Sequence, residues 1–334
     1  MKHFNKPHWG AKGTRVFAIL LALTVLILTS LGNVLLKQVY EEVNPFSASW
    51  ISVFIGMVAL NVYIFGVRRE PVPRNLSRQT WLYLIVIGVC NYTIYRITRP
   101  IALEYLPVVT VTFLGEFVGF MTMGFSIFIL KEKPTGVQLI GTIVAILGIV
   151  VFFDKIPSNY QFEGILLILV GMVAIGLTNN LIRKMLISPD ANMSVGVFTA
   201  ITITIGGVIT TLVGAAIDFP PPVSGINSWL VIGYTGLVQI AFALTLWNYV
   251  LRFLRSYEAS ILGLTSLVWA SIFAFIILGE TLTIRKVVAI LLVAFGVSII
   301  QIYHMRPSPK IATEPINKDA PVSLDDELAS HSEI

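Results

Sequence analysis

Charged residues are scarce in this chain of 334 residues, and histidine and cysteine are scarcer still. Aspartate, glutamate, lysine and arginine make up 12% of the sequence, about half of their share in soluble domains. This composition excludes an ordinary water-soluble domain. The single cysteine excludes a disulfide within the chain and any cysteine-based metal cluster. The four histidines lie near the two ends, so they cannot form an internal catalytic cluster.

Motifs for nucleotide hydrolysis and for zinc chemistry are missing as well. No G-x-x-x-x-G-K-[ST] phosphate loop and no H-E-x-x-H pair occurs in the sequence. We therefore expect no enzyme activity and no cofactor. A net charge of +5 does not indicate nucleic-acid binding, because basic residues in so apolar a chain usually set the orientation of membrane loops. The expected partners are the lipid bilayer and a small molecule.

Long apolar runs fill the sequence, 56% of which is hydrophobic. A membrane-spanning helix needs roughly 20 mostly apolar residues. The runs predict an all-α, polytopic membrane protein with ten transmembrane helices, at 16–36, 48–67, 81–102, 108–130, 135–153, 162–182, 194–217, 229–251, 257–278 and 284–303. A basic leader precedes them at 1–15, and a polar tail, predicted to be disordered, follows at 304–334.

The chain also contains an internal repeat. Asn33–Lys37 recurs as Asn180–Lys184, and Leu130–Thr135 recurs as Leu278–Thr283, at a separation of about 148 residues. The repeat predicts a first unit at 16–153 and a second at 162–303. Since each unit has an odd number of helices, the two units are inverted relative to each other. Most lysines and arginines fall on the side that holds the leader, which predicts that both termini are cytoplasmic.

Each unit ends in a Leu-x-Glu-x-x-Thr turn followed by a glycine-containing apolar helix. With the Ala102–Pro107 segment and its counterpart Leu251–Leu254, this pattern resembles the drug/metabolite transporter superfamily, in particular its EamA-type members. The resemblance implies a ten-helix transporter in the cell (inner or plasma) membrane. It also implies a central cavity lined mainly by helices 1, 3, 4, 6, 8 and 9. No substrate follows, because the superfamily carries amino acids, nucleosides, sugars, lipids and drugs.

Three ionisable residues, Arg96, Arg99 and Glu116, lie inside predicted spans, where an unpaired charge is costly. Arg96 and Glu116 lie at similar depth on consecutive helices, at equal distances from the turn that joins them. Two interpretations stay open. The pair could be a permanent ion pair that joins helices 3 and 4. Alternatively, the arginines face the cavity and bind an anionic group, while Glu116 balances that charge or takes up a proton.

Tyr92, Arg96 and Arg99 form one predicted stripe on helix 3. At the repeat offset, Leu244 and Trp247 replace the two arginines. The predicted cavity is therefore basic on one wall and apolar or aromatic on the other. Such a cavity suits a substrate with an anionic group and an apolar or ring-containing body.

Four further residues are candidate cavity residues of lower rank: Asn33, Asn180, Gln239 and Trp269. An asparagine within a span needs a hydrogen-bond partner, so Asn33 and Asn180 either face the cavity or join helices. Glu280 lies in a tight turn between helices 9 and 10, where we expect it to cap the start of the next helix.

The function predicted from these features is secondary transport of small organic metabolites by alternating access, as an exporter or exchanger. Whether transport is coupled to proton movement stays open. Within the same superfamily, a sugar-phosphate or nucleotide-sugar antiporter is the alternative, with the arginines as phosphate ligands. An intramembrane enzyme is a further alternative, but no nucleophile lies near Arg96 and Glu116. A non-transporting membrane scaffold or sensor is the last alternative.

Overall fold

The computed structural model describes residues 11–73, 76–115, 117–118, 121–122, 124–125, 136–152, 158–187, 193–250, 262–263, 265–281 and 283–303. We number ten helices there, counting a π-helical segment as part of the helix that contains it. They are α1 Ala11–Gln38, α2 Pro45–Val67, α3 Arg78–Tyr105, α4 Val108–Gly115, α5 Gly136–Phe152, α6 Asn159–Ile187, α7 Val195–Asp218, α8 Ile226–Val250, α9 Thr265–Leu278 and α10 Ile284–Tyr303. Each overlaps one predicted span. No strand occurs among the described residues, and the all-α prediction is confirmed.

Six of these helices are long and apolar enough to cross a membrane: α1, α2, α3, α6, α7 and α8. Large apolar side chains such as Ile217 and Leu230 are exposed on the outer surface of the bundle, as contact with lipid requires. Helix α1 begins at Ala11, within the predicted leader. The predicted tail at 304–334 lies outside the described residues.

Side-chain caps explain where several helices begin. Asn44 accepts a hydrogen bond from the backbone N–H of Phe46 at the start of α2 (2.8 Å). Ser77 and Ser194 accept equivalent bonds at the starts of α3 and α7 (3.1 Å in each case). Short polar side chains at these positions satisfy N–H groups that have no partner inside the helix. Helix α3 ends before Pro107, whose ring disfavours helical geometry in the preceding residue.

Contacts between helices follow the internal repeat. Helix α1 packs on α8 and α9, and its counterpart α6 packs on α3 and α4. Helices α2 and α8 form one pair and α7 and α3 the equivalent pair, while α2 contacts α7 and α5 contacts α10. Exchanging the first five helices for the last five leaves this set of contacts unchanged. The described bundle therefore consists of two inverted five-helix repeats that make equivalent contacts.

Matched glycines let helices from opposite halves approach closely. A Cβ atom added to Gly206 on α7 would lie 2.0 Å from the carbonyl oxygen of Gly88 on α3. In the equivalent crossing, a Cβ atom on Gly56 of α2 would lie 2.8 Å from the carbonyl oxygen of Gly236 on α8. Only glycine permits such backbone contact. A π-helical segment lies at each crossing, at Val89–Ile94 in α3 and at Thr235–Ala243 in α8.

Candidate substrate cavity

A cavity of about 280 Å³ lies inside the bundle, and both halves contribute to its wall. Helices α1, α2, α3 and α4 line it from the first half, and α8 and the start of α9 line it from the second. Helix α2 is an unexpected contributor, through Ser49 and Ser52. Helix α6, which the resemblance implied as a wall, does not line this cavity within the described part of the chain.

One face of α3 forms the basic wall. Arg96, Arg99, Pro100 and Leu103 all line the cavity, and their spacing places them on one side of an α-helix. The Arg99 guanidinium donates a hydrogen bond to the Tyr95 hydroxyl, and its Cζ atom lies 5.7 Å from the centre of the Tyr95 ring. Among the described residues, no carboxylate forms an ion pair with either guanidinium. Glu116, the predicted partner, lies outside them.

A proline shapes this wall. Pro100 lies inside α3 and has no N–H to donate to the Arg96 carbonyl one turn earlier. The hydroxyl of Ser49 on α2 donates to that carbonyl oxygen instead. The bond ties α2 to α3 at the cavity wall. Hydroxyl side chains commonly satisfy the backbone groups that proline frees within a membrane.

The facing wall on α8 is apolar and aromatic. Leu244 and Trp247, the repeat counterparts of Arg96 and Arg99, line the same cavity as the two arginines. The cavity lining therefore includes two cationic side chains on α3 and an indole ring and an aliphatic side chain on α8. The register of the repeat predicted which residue types would meet, and the structure brings them to a common cavity.

Amides and hydroxyls make up the rest of the polar lining. Gln239 on α8 is buried and donates to the carbonyl oxygen of Thr29 (2.9 Å) and to the side-chain oxygen of Asn33 (3.0 Å) on α1. Both amide side chains line the cavity. Thr112 on α4 also lines it, and its buried hydroxyl has no hydrogen-bond partner among the described residues.

Three sequence candidates lie away from the cavity lining. Tyr92, within the π-helical segment of α3, is buried against α7 and away from the face that carries the two arginines. Asn180 is buried on α6 and donates to the carbonyl oxygen of Thr122 (2.9 Å), so it joins α6 to the chain that follows α4. Trp269 packs on Phe273 of its own helix, with ring centres 6.4 Å apart.

A smaller cavity of about 50 Å³ lies on the other side of α3, between α3, α4 and α6. It shares Tyr95, Arg99, Gly115 and Val118 with the main cavity. Thr98 also lines it, and the Thr98 hydroxyl is buried without a hydrogen-bond partner among the described residues. The Tyr95–Arg99 pair thus forms part of two cavity walls.

The two halves are tied together at the C-terminal end of α1. Glu280 accepts hydrogen bonds from the backbone N–H groups of Val108 (2.9 Å) and Val109 (3.5 Å). It therefore caps α4 of the first half, and the expectation that it caps the next helix was wrong. Tertiary packing brings the turn to the start of α4, which sequence spacing could not reveal. Lys37 donates to the nearby Leu103 carbonyl oxygen.

Ser49, Ser52 and Tyr95 are cavity residues that the sequence did not bring forward as candidates. The spacing of Ser49 and Ser52 within an apolar span was a signal, since it places two hydroxyls on one helix face. Tyr95 directly precedes Arg96 of the predicted stripe in the sequence. In the described ranges, no group of three acidic, histidine or cysteine side chains is arranged to hold a metal ion.

The model of the EamA-like transporter family matches residues 16–154 and again residues 162–302. The chain belongs to the EamA-like transporter family. The six helices long and apolar enough to cross a membrane fit a family that is described as transporters.

Individual relatives carry transporter names. The uncharacterized inner membrane transporter YhbE of Escherichia coli (strain K12) is 28% identical over 136 residues, which is 41% of this chain and 42% of the relative. The match thus spans less than half of that protein. An uncharacterized transporter of Clostridium kluyveri is 25% identical over 262 residues, covering 76% of this chain and 82% of the relative. One crystal structure matches with a TM-score of 0.63 and 19% identity, over 88% of this chain and all of that one.

Proposed function

We propose that this EamA-like protein is a secondary transporter of small organic metabolites that combine an anionic group with an apolar or aromatic body. It works as an exporter or exchanger, by alternating access between the two five-helix halves. The observation that carries the proposal is the asymmetry of the main cavity. Arg96 and Arg99 line one wall, and Leu244 and Trp247 line the wall opposite.

The charge of the α3 wall favours an anionic solute. A guanidinium is always ionised and presents several N–H donors in one plane, which suits a carboxylate or a phosphate. Both arginines lie inside a membrane bundle, where desolvation strengthens electrostatic attraction. An anion in the cavity would offset the cost of holding these charges away from bulk water.

The size of the cavity and the α8 wall limit the rest of the solute. A volume of about 280 Å³ lies just below the usual range for small-molecule sites, roughly 300–1,000 Å³. It suits one compact metabolite. Trp247 offers an aromatic face for a ring, and Leu244 offers an aliphatic contact. Gln239, Asn33 and Thr112 add a few polar groups that would orient the solute.

Transport into proteoliposomes tests the proposal. The probes are 3-phenylpropanoate, which combines a carboxylate with a ring, and its neutral amide, 3-phenylpropanamide. We expect saturable exchange of the carboxylate, with a KM at least about tenfold lower than that of the amide. Arg96→Gln is expected to remove this preference while the purified variant stays monodisperse. Equal KM values for the carboxylate and the amide in the wild-type protein would refute the proposal.

The sugar-phosphate or nucleotide-sugar antiporter remains the alternative, because two adjacent guanidinium groups also suit a phosphate. Glucose 6-phosphate in the same exchange assay separates the two functions. Saturable exchange of the phosphate ester without exchange of 3-phenylpropanoate would favour the alternative. Imposed pH gradients in either direction, with the protein reconstituted in a known orientation, test export and proton coupling. Protease accessibility of the two termini in sealed, oriented cell-membrane vesicles tests their cytoplasmic placement.

A further inference from the structure

Tyr95 and Arg99 lie where the two cavities of the bundle meet. The main cavity borders α1 of the first half, and the smaller one borders α6, the repeat counterpart of α1. The side chains of Tyr95 and Arg99 line both cavities. A carrier that opens alternately on two sides needs a solute-binding group that is reachable in both states. The position of Arg99 meets that need.

We infer that Tyr95 is a positioning residue that holds the Arg99 guanidinium at this shared wall, so that one cation serves an anionic solute from both cavities. The inference rests on the proposed function. Tyr95 lies one helical turn before Arg99 on α3, and its hydroxyl accepts a hydrogen bond from the guanidinium. The guanidinium also lies over the Tyr95 ring, with Cζ 5.7 Å from the ring centre.

The chemistry of the tyrosine is what makes it suitable. A phenol hydroxyl orients a guanidinium without neutralising it, whereas a carboxylate would cancel the charge that attracts the solute. The ring restricts the long arginine side chain and so reduces the conformational entropy lost when an anion binds. The remaining N–H groups of Arg99 stay available to a ligand.

The smaller cavity is closely packed on the α6 side. Thr98 lines it, and its buried hydroxyl has no hydrogen-bond partner within the described part of the chain. A Cβ atom added to Gly171 of α6 would lie 2.8 Å from that hydroxyl, so the glycine lets α6 approach Thr98 closely. On α8, Ala243 and Trp247 occupy the positions of Tyr95 and Arg99, so the second half lacks such a pair.

Tyr95→Phe tests the inference, because it removes the hydrogen-bond acceptor and keeps the ring. In proteoliposome exchange, we expect the KM for 3-phenylpropanoate to rise about tenfold, with the maximal rate changed less than about twofold. The KM for 3-phenylpropanamide should stay constant. Tyr83→Phe is the matched control, since the Tyr83 hydroxyl accepts a hydrogen bond from Gln79 one turn earlier on the same helix (2.7 Å), outside the cavity lining.

Tyr95→His provides a second variant that keeps a ring and an acceptor nitrogen. Its KM for 3-phenylpropanoate should lie closer to the wild-type value than that of Tyr95→Phe. An unchanged anion KM in Tyr95→Phe, or equal losses for the anion and the amide, would overturn the positioning role while the proposed function stands. If the wild-type protein does not exchange 3-phenylpropanoate, both the function and this inference fail.

Discussion

Helices α3 and α8 occupy equivalent places in the two halves, yet they present opposite chemistry to the same cavity. Both contain a π-helical segment, and both use a glycine, Gly88 or Gly236, to cross a helix of the other half. They differ at the cavity face, where Arg96 and Arg99 stand opposite Leu244 and Trp247. The scaffold of the repeat is thus shared, while the residues that line the cavity differ between the halves.

A second difference lies just behind that face. In α3, Pro100 frees the Arg96 carbonyl oxygen, which then accepts a hydrogen bond from Ser49. In α8, Asn248 takes the place of the proline and donates to the hydroxyl of Thr199 on α7 (3.0 Å). Both halves therefore link the cavity helix to a hydroxyl on the neighbouring helix. Only the first half does so through a broken helical hydrogen bond.

The glycine crossings give the largest expected effect. Gly206→Ala would place a methyl group against the Gly88 carbonyl oxygen, and we expect a loss of about 3 kcal/mol in the free energy of unfolding. Gly56→Ala lies at the equivalent crossing, where the added Cβ atom would be 2.8 Å from the carbonyl oxygen rather than 2.0 Å, so it should lose less free energy of unfolding. Gly233→Ala on α8 is the control, because its added methyl group meets no atom within 4 Å. Thermal unfolding of the purified variants measures all three, and equal stabilities would contradict the matched crossings.

Exchanging the wall residues tests the charge asymmetry directly. Arg96→Leu combined with Arg99→Trp gives α3 the cavity residues of α8. We expect exchange of 3-phenylpropanoate to fall about a hundredfold, because two charged hydrogen-bond donors are lost. Exchange of 3-phenylpropanamide is the control and should be retained. Similar losses for both probes would mean that the arginines support the fold rather than select the solute.

The smallest effect concerns the helix break. Ser49→Ala should cost about 1 kcal/mol in the free energy of unfolding, because the freed Arg96 carbonyl oxygen loses its hydrogen-bond donor. In a Pro100→Ala background that cost should nearly vanish, since the new N–H can bond to the same carbonyl oxygen. Thr199→Ala, the equivalent change in the second half, should not be rescued by Pro100→Ala. A double-mutant cycle on thermal stability measures the coupling, and additive losses would contradict it.

Much of the fold could be predicted because a membrane leaves a chain few options. Apolar runs of spanning length predicted all ten helices, and the repeat predicted which residues of α3 and α8 correspond. The position of Tyr92 could not be predicted, because its burial depends on the close approach of α7, which the hydropathy pattern does not show. The contribution of Ser49 and the cap that Glu280 provides depend on contacts between distant segments, which periodicity does not encode.

The Glu280 cap has a consequence for how this end of the bundle behaves. Helix α4 begins in one half, but the acceptor that completes its first turn belongs to the other. Withdrawing the α9–α10 turn strips two backbone N–H groups of their partner, an effect worth about 1 kcal/mol for a typical cap. In a carrier that opens at this end, separation therefore has a built-in restoring tendency. The same two hydrogen bonds would form again whenever the carboxylate returned to the start of α4.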